Sequence, residues 1–286
     1  MGLEGWVRER ADTTTMGPKA RQVVDLLARN PKFCAYASAS QLGARVGTDA
    51  STVVRTAKAI GFAGWPELQA ELRSRYLSSL DATALLDLHQ DSDNADPIVR
   101  ALRNDLDALT ETARTLDVSA CRAIATAIAT AGRTLAVGSG SFAGPLTQLV
   151  HVASRLGFTV DLADHGGRNL ITSLGLLRPG DALVILHPWR LTADVLAAAT
   201  VARDQGSTVC VISDSHSTPL TRLADHQVVV PAEGVSHFPT LTPTTAVVHA
   251  VLAELTEQAG DTGKAAIKRH DRVFAQVEKL RRGNHS

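Results

Sequence analysis

The chain has 286 residues, 44% apolar and 20% charged, which is the profile of an ordinary globular protein with one large domain or two of usual size. No apolar run approaches the ~18 residues that span a bilayer, and Glu4, Arg8, Glu9 and Arg10 interrupt the start before any secretory core, so a cytoplasmic chain without a membrane partner is expected. Net charge is zero overall, yet residues 1–80 carry eleven Lys/Arg against seven Asp/Glu, the sign that phosphate contact requires.

Helical signals come first. Residues 17–30 place Val23, Val24, Leu26 and Leu27 on one stripe and stop at Asn30-Pro31. A short helix follows at 38–46, capped by Ser38 or Ser40, and Gly47 breaks it. Thr48 or Asp49 then caps a third helix that ends at Gly61, and Pro66 opens a fourth. Residues 1–80 therefore read as a small all-α domain. Residues 81–97 hold five aspartates and no Lys or Arg, which suggests a boundary linker, partly helical at Leu85-Leu86. One or two helices are expected over 98–132.

From Arg133 the period changes. Short β-branched runs at 134–140, 158–164, 182–188, 208–214 and 226–232 alternate with helical segments at 143–156, 167–177, 192–205 and near 219–224. That alternation predicts βαβ units and a parallel sheet covered on both faces, an α/β domain over 98–260. A helix over 243–258 and a charged helical tail within 261–286 close the chain. Cys34, Cys121 and Cys210 are odd in number and far apart, which fits buried thiols in a reducing compartment better than disulfides or a zinc knuckle. The ten histidines form no HxxH pair, so neither a metal nor a cofactor is expected.

Two stretches carry chemistry. Residues 40–60 have the internal logic of a helix-turn-helix: Gly43 is small where two helices cross, Gly47 supplies the turn, and Val53 faces inward. Leu42, Val46, Val53, Val54, Ala57 and Ile60 fill the inner faces. This leaves Thr48, Ser51, Thr52, Arg55, Thr56 and Lys58 for phosphate and base-edge contacts in a major groove. Pattern alone allows a plain three-helix domain as well. Residues 51–73, "STVVRTAKAIGFAGWPELQAELR", resemble the signature of the RpiR/MurR family of bacterial transcriptional regulators, in which Val-Val-Arg precedes Gly-Phe-x-Gly-aromatic-Pro. The resemblance covers about residues 17–77 and implies binding to a double-stranded DNA operator. Phe62 and Trp65 are expected as core pins between the third and fourth helices.

The second stretch is "TLAVGSGSFAGPLTQLV", a strand feeding a glycine-serine loop and a helix, suited to cradling an anion. Gly138-x-Gly140-x-x-Ala143, with Asp161 about twenty residues on, also fits a dinucleotide fingerprint, which keeps an NAD(H)-sensing regulator open. The family resemblance implies instead a doubly wound sugar isomerase (SIS) domain, spanning roughly 98–258, whose first loop is matched by Gly138, Gly140 and Ser141. Its second loop normally reads Ser-x-Ser-Gly-x-Thr, whereas this chain has His187-Pro188-Trp189-Arg190-Leu191-Thr192. The effector site is accordingly expected at Ser139, Gly140, Ser141, His187, Trp189, Arg190 and Thr192, with Ser236 or His237 capping it. The ligand would be a phosphosugar or another anionic metabolite, unless the altered loop has closed the pocket and the domain serves only to dimerise, and the assembly would be a homodimer or homotetramer. A phosphosugar isomerase with Glu233 as base is the enzymatic alternative; no catalytic residue is assigned in the preferred reading.

Overall fold

The computed structural model describes residues 2–90 and 96–283, which form two compact units. The first comprises Met1–Asn104 together with two short later segments, Asp214–His216 and Glu233–Pro239. The second comprises Asp105–Ser213, Ser217–Ala232 and Thr240–Ser286.

The first unit is helical: α1 (Leu3–Asp12), α2 (Pro18–Arg29), α3 (Pro31–Tyr36), α4 (Ala39–Arg45), α5 (Ala50–Ala59), α6 (Trp65–Ser79) and α7 (Ala82–Gln90). Its core gathers Trp6 and Val7 from α1, Val23 and Leu27 from α2, Leu42 from α4, Val53 and Ala57 from α5 with Ile60 just after it, and Leu68 and Leu72 from α6. Phe62 and Trp65 are both buried, as expected of core pins. The Phe62 ring meets Trp6 edge-on at 6.0 Å, and Trp65 Nε1 donates to Ala37 O at 3.2 Å. Helix α1 lies outside the sequence expectation; α2 stops at Asn30-Pro31 as expected, and Pro31 opens a further short helix, α3, at the position where a missing N–H costs nothing. Part of the acidic 81–97 stretch is helix α7, with Leu85 buried; the other part of that reading, residues 91–95, lies outside the described residues.

The second unit holds a five-stranded parallel sheet in the order β2-β1-β3-β4-β5. The strands are β1 (Thr134–Val137), β2 (Val160–Ala163), β3 (Ala182–Leu186), β4 (Thr208–Ser213) and β5 (His226–Val229). Helix α8 (Pro97–Thr115) runs from the first unit into the second, followed by α9 (Val118–Thr130), α10 (Ala143–Arg155), α11 (Gly167–Leu174), α12 (Ala193–Asp204) and α13 (Thr242–Gly283). Alternation along each strand splits the core. Ala136, Val184, Leu186, Cys210 and Ile212 pack with α9, α10 and α13, while Leu135, Val137, Leu183, Ile185 and Val211 pack with α11 and α12. The sheet is thus wound on both faces, the α/β arrangement anticipated from the sequence. Helix α13 is broken at Gly260, whose φ of 50° and ψ of −132° separate two helical segments. Cys34, Cys121 and Cys210 are all buried, and burial pushes their thiols up to about 12, 11 and 12. Among the described residues no helix is long and apolar enough to cross a membrane.

Candidate functional site

The α4–α5 corner is built by capping and by glycine. Ser38 caps α4 through a reciprocal box, its hydroxyl accepting from Gln41 N at 3.2 Å while Gln41 Oε1 accepts from Ser38 N at 2.7 Å. A Cβ at Gly43 would stand 2.9 Å from Thr48 O, so only glycine lets the two helices approach this closely. Gly47 turns the chain at φ 65°. Asp49 then caps α5, accepting from Thr52 N at 2.7 Å and from the Ser51 hydroxyl at 2.9 Å. The Thr52 N–H and the Ser51 and Thr52 side chains hold its carboxyl below the usual range.

Helix α5 presents two faces. Val53, Ala57 and Ile60 are buried, whereas Ser51, Arg55 and Lys58 are exposed and Thr52 and Thr48 are half-buried. Arg55 Nη2 donates to Thr52 Oγ1 at 2.9 Å, which aligns both along the outer face. Thr56 departs from the expected exposed set. It is 2% exposed, and its hydroxyl donates to Thr52 O at 2.8 Å, so its position three residues after Val53 puts it on the inner face. The outer face therefore offers two cations and two hydroxyl residues with no carboxylate beyond the cap.

In the second unit, loops leave the C-terminal ends of β1 and β3, which pair in register at Val137 and Ile185. The strand order 2-1-3-4-5 makes this the topological switch point, where ligands enter open α/β sheets. Gly138 serves packing, since a Cβ there would lie 2.8 Å from Leu146 Cδ1. Gly140 differs: it sits at φ 61° with open space around it, flanked by exposed Ser139 and Ser141. Across the switch point, His187 is 4% exposed and its Nε2 donates to Arg190 O at 2.6 Å, closing a tight turn. Phe142 meets the His187 ring edge-on at 5.5 Å, joining the two loops. The imidazole is thus a wall and a staple for the turn. Half-buried Trp189 occupies φ 91°, a left-handed backbone that a bulky residue adopts only at a cost of about 1–3 kcal/mol.

Arg190 and Thr192 are exposed. Thr192 caps α12 by position without a side-chain hydrogen bond, so its hydroxyl is not engaged with the helix. Asp194 in the first turn of α12 lies against the loop after β2, because a Cβ on Gly166 would come within 2.8 Å of its Oδ2. That carboxylate, with Phe142, was missed in the sequence; an acidic residue in a helix's first turn is a general dipole feature and carries no functional signal by itself. Ser236 and His237 do not fall in this unit. They belong to the Glu233–Pro239 segment of the helical unit, where Ser236 Oγ lies 3.3 Å from His237 Nδ1.

Glu233, the candidate base, also belongs to the helical unit. Its Oε1 accepts from Tyr36 Oη at 2.6 Å and lies 3.3 Å from His89 Nε2, its Oε2 is 3.7 Å from Arg73 Nε, and its carbonyl accepts from Asn104 Nδ2 at 2.9 Å. Burial alone would raise its carboxyl, but the His89 and Tyr36 hydrogen bonds and the Arg73 charge outweigh burial and hold it low. A second carboxylate of the unit was invisible in the sequence: Glu71 is fully buried, 2.7 Å from Arg75 Nε, and accepts from the Ser215 hydroxyl at 2.9 Å and from His216 N at 2.7 Å. Asp161, the acidic residue of the dinucleotide fingerprint, is ion-paired with Arg133 at 2.7 Å.

Two family models match the chain. Residues 6–79 match the helix-turn-helix domain of the rpiR family, and residues 157–254 match the SIS domain. An HTH-type transcriptional regulator of Haemophilus influenzae is 24% identical over 212 residues, covering 73% of each chain. Among solved structures, the sugar isomerase domain of an RpiR transcription factor from Sphaerobacter thermophilus is 30% identical, with a TM-score of 0.59, over 61% of this chain and 98% of that one. The Vibrio vulnificus NanR protein shares the fold along almost the whole length, with a TM-score of 0.60 at 18% identity over 96% of this chain and 99% of that one. With its helix-turn-helix corner, its doubly wound sheet and these matches, the chain belongs to the RpiR family of HTH-type transcriptional regulators.

Proposed function

We propose that this regulator binds operator DNA as a homodimer through α5 and responds to an anionic, sugar-derived metabolite held at the β1/β3 switch point, without turning it over. The observation that carries the DNA half is the two-faced α5, with Arg55 and Lys58 outward on a helix seated by Val53 and Ala57. Ser51, Thr52 and Thr48 supply hydroxyls beside those cations, a mixture suited to phosphate oxygens and base edges. A single short helix makes few base contacts, and a two-fold pair reading half-sites a helical turn or a multiple apart supplies the rest.

For the effector, the NanR structure is a complex with ManNAc-6P, which supports a phosphorylated sugar derivative as the class. Here Ser139, Ser141 and Thr192 offer hydroxyls and Arg190 offers a planar guanidinium able to grip an oxyanion with two N–H groups. The altered second loop argues for a ligand gripped by Arg190 rather than by the paired serines usual in the family. A non-catalytic role draws support from Glu233, whose carboxylate is taken up by Tyr36, His89 and Arg73. Nicotinamide dinucleotide binding draws none, since Asp161 is neutralised by Arg133.

Fluorescence anisotropy with a duplex from the region upstream of the chain's own reading frame tests the first half. Saturable binding that a scrambled duplex of equal length does not reproduce is expected; equal affinity for both would overturn it. Thermal shift with ManNAc-6P and other phosphosugars tests the second, because a ligand that prefers the native state raises its melting temperature. A rise that Arg190→Ala abolishes is expected, and a rise indifferent to that substitution would remove Arg190 from the site.

A further inference from the structure

Two helical stripes in this chain are apolar and uncovered. On α8, Ile98, Val99, Leu102 and Leu106 are 71%, 48%, 63% and 64% exposed. They recur at intervals of four with one neighbour, forming one face of the helix. On the last part of α13, Val273, Phe274, Val277 and Leu280 are 53%, 68%, 44% and 68% exposed. Scattered single apolar residues need no explanation, but four on one helix face constitute a patch that calls for a partner.

The α13 end sharpens the point. From Lys268 to Val277 every residue is exposed. This stretch buries no residue, and in proteins most helical stability comes from packing an amphipathic face, so cover by a second copy would stabilise it. The two stripes are also commensurate. At 1.5 Å per residue, 98–106 spans about 12 Å and 273–280 about 10 Å.

Charge selects the occupant. Residues 268–282 carry six Lys/Arg against two Asp/Glu, whereas the α8 stripe is flanked by Asp96 at one end and Asp105 and Asp107 at the other, against Arg100 and Arg103 along it. A basic stripe and an acid-flanked stripe attract each other, while two copies of the basic stripe would repel. Antiparallel pairing brings Arg281 and Arg282 beside Asp96 and sets the two helix dipoles in opposite directions, each positive end beside a negative one.

We infer that the α13 tail of one copy lies antiparallel on the α8 stripe of a second copy, and reciprocally, so that one two-fold axis generates both contacts. The arrangement is isologous, residue for residue, and closes at two chains. It rests on the homodimer reading above and names the surfaces that make it. Val277 and Leu102 are the central residues of the two stripes.

Cysteine cross-linking of the full chain tests the pairing. The native thiols are buried, so they contribute little background. Leu102→Cys with Val277→Cys in one chain should give a covalent dimer under mild oxidation, and the two single variants mixed should do the same. Either single variant alone should stay uncross-linked. Covalent dimers of one single variant by itself, or a cross-link within one chain, would overturn the pairing, as would no cross-link in the double variant. Sedimentation velocity separates the two levels. Wild type running as a dimer and Val277→Asp running as a monomer with an unchanged melting temperature supports the inference. If Val277→Asp stays dimeric, this pairing is wrong and the homodimer reading survives; if wild type is monomeric throughout, both fail.

Discussion

Replacing Arg55 and Lys58 together by alanine removes two cations from the outer face of α5, neither of which supports the core of the helical unit. In a two-fold complex the pair becomes four charges facing DNA phosphates. Each phosphate contact contributes about 0.9 to the slope of log affinity against log salt, so the variant's slope should be shallower by about 3.6. Between 50 and 200 mM salt, a fourfold change, wild type should therefore lose roughly 150-fold more affinity than the variant does. Anisotropy titrations on one operator duplex at four or five salt concentrations yield the slope, and differential scanning fluorimetry checks that the melting temperature is unchanged. A slope equal to that of wild type would mean that neither cation reaches a phosphate, and the assignment of α5 to the groove would fall. A drop of about half this size would point to one contact per helix.

Gly43→Ala should destabilise the helical unit by about 1–3 kcal/mol, the usual range for overpacking, because its new Cβ meets the backbone oxygen of Thr48 at 2.9 Å; urea unfolding reads this, and an unchanged midpoint would refute the close approach. Thr56→Val should leave DNA affinity unchanged, since the side chain faces inward. Loss of its hydroxyl bond to the Thr52 carbonyl should cost about 1 kcal/mol, and impaired DNA binding at unchanged stability would return Thr56 to the outer face. Glu233→Gln tests a pH dependence. Its carboxyl is held below the usual value, so its contribution is present above the unfolded value and lost as pH falls through the folded one. Wild type should exceed Glu233→Gln in melting temperature at pH 7, and the gap should narrow steadily as pH falls below the usual carboxylate range; a gap of constant size across that range would show that the charge is not what Glu233 contributes.

Much of the fold could be read in one dimension because its determinants are local. Gly47 and Gly61 sit at φ 65° and 93°, where the sequence places the ends of helices, and the strand runs lie within a residue or a few of β1 to β5. Helix α1 escaped because only Trp6 and Val7 of its ten residues are buried, leaving no stripe to detect. What holds it is long-range: the Arg75 guanidinium lies 4.1 Å from the Trp6 ring centroid and Arg10 bonds the Ile60 carbonyl at 3.0 Å. Thr56 misled because a hydroxyl reads as outward in sequence, yet a helix can satisfy it with its own carbonyl four residues back. At the candidate site the loop after β1 was legible from its glycines and serines, and the loop after β3, which has neither, only from the family resemblance. Ser236, His237 and Glu233 were not, since which unit a late segment joins depends on contacts such as Tyr36 to Glu233, 197 positions apart.

The left-handed backbone of Trp189 has an energetic corollary for any rearrangement of the loop after β3. An unstrained turn would have to be opened against the full value of the indole's packing. Here the residue is already wound against its own Cβ, by about 1–3 kcal/mol. A rearrangement of the loop that returned Trp189 to negative φ would recover that energy and offset part of the packing given up, whereas turning the indole about its side-chain bonds alone would not.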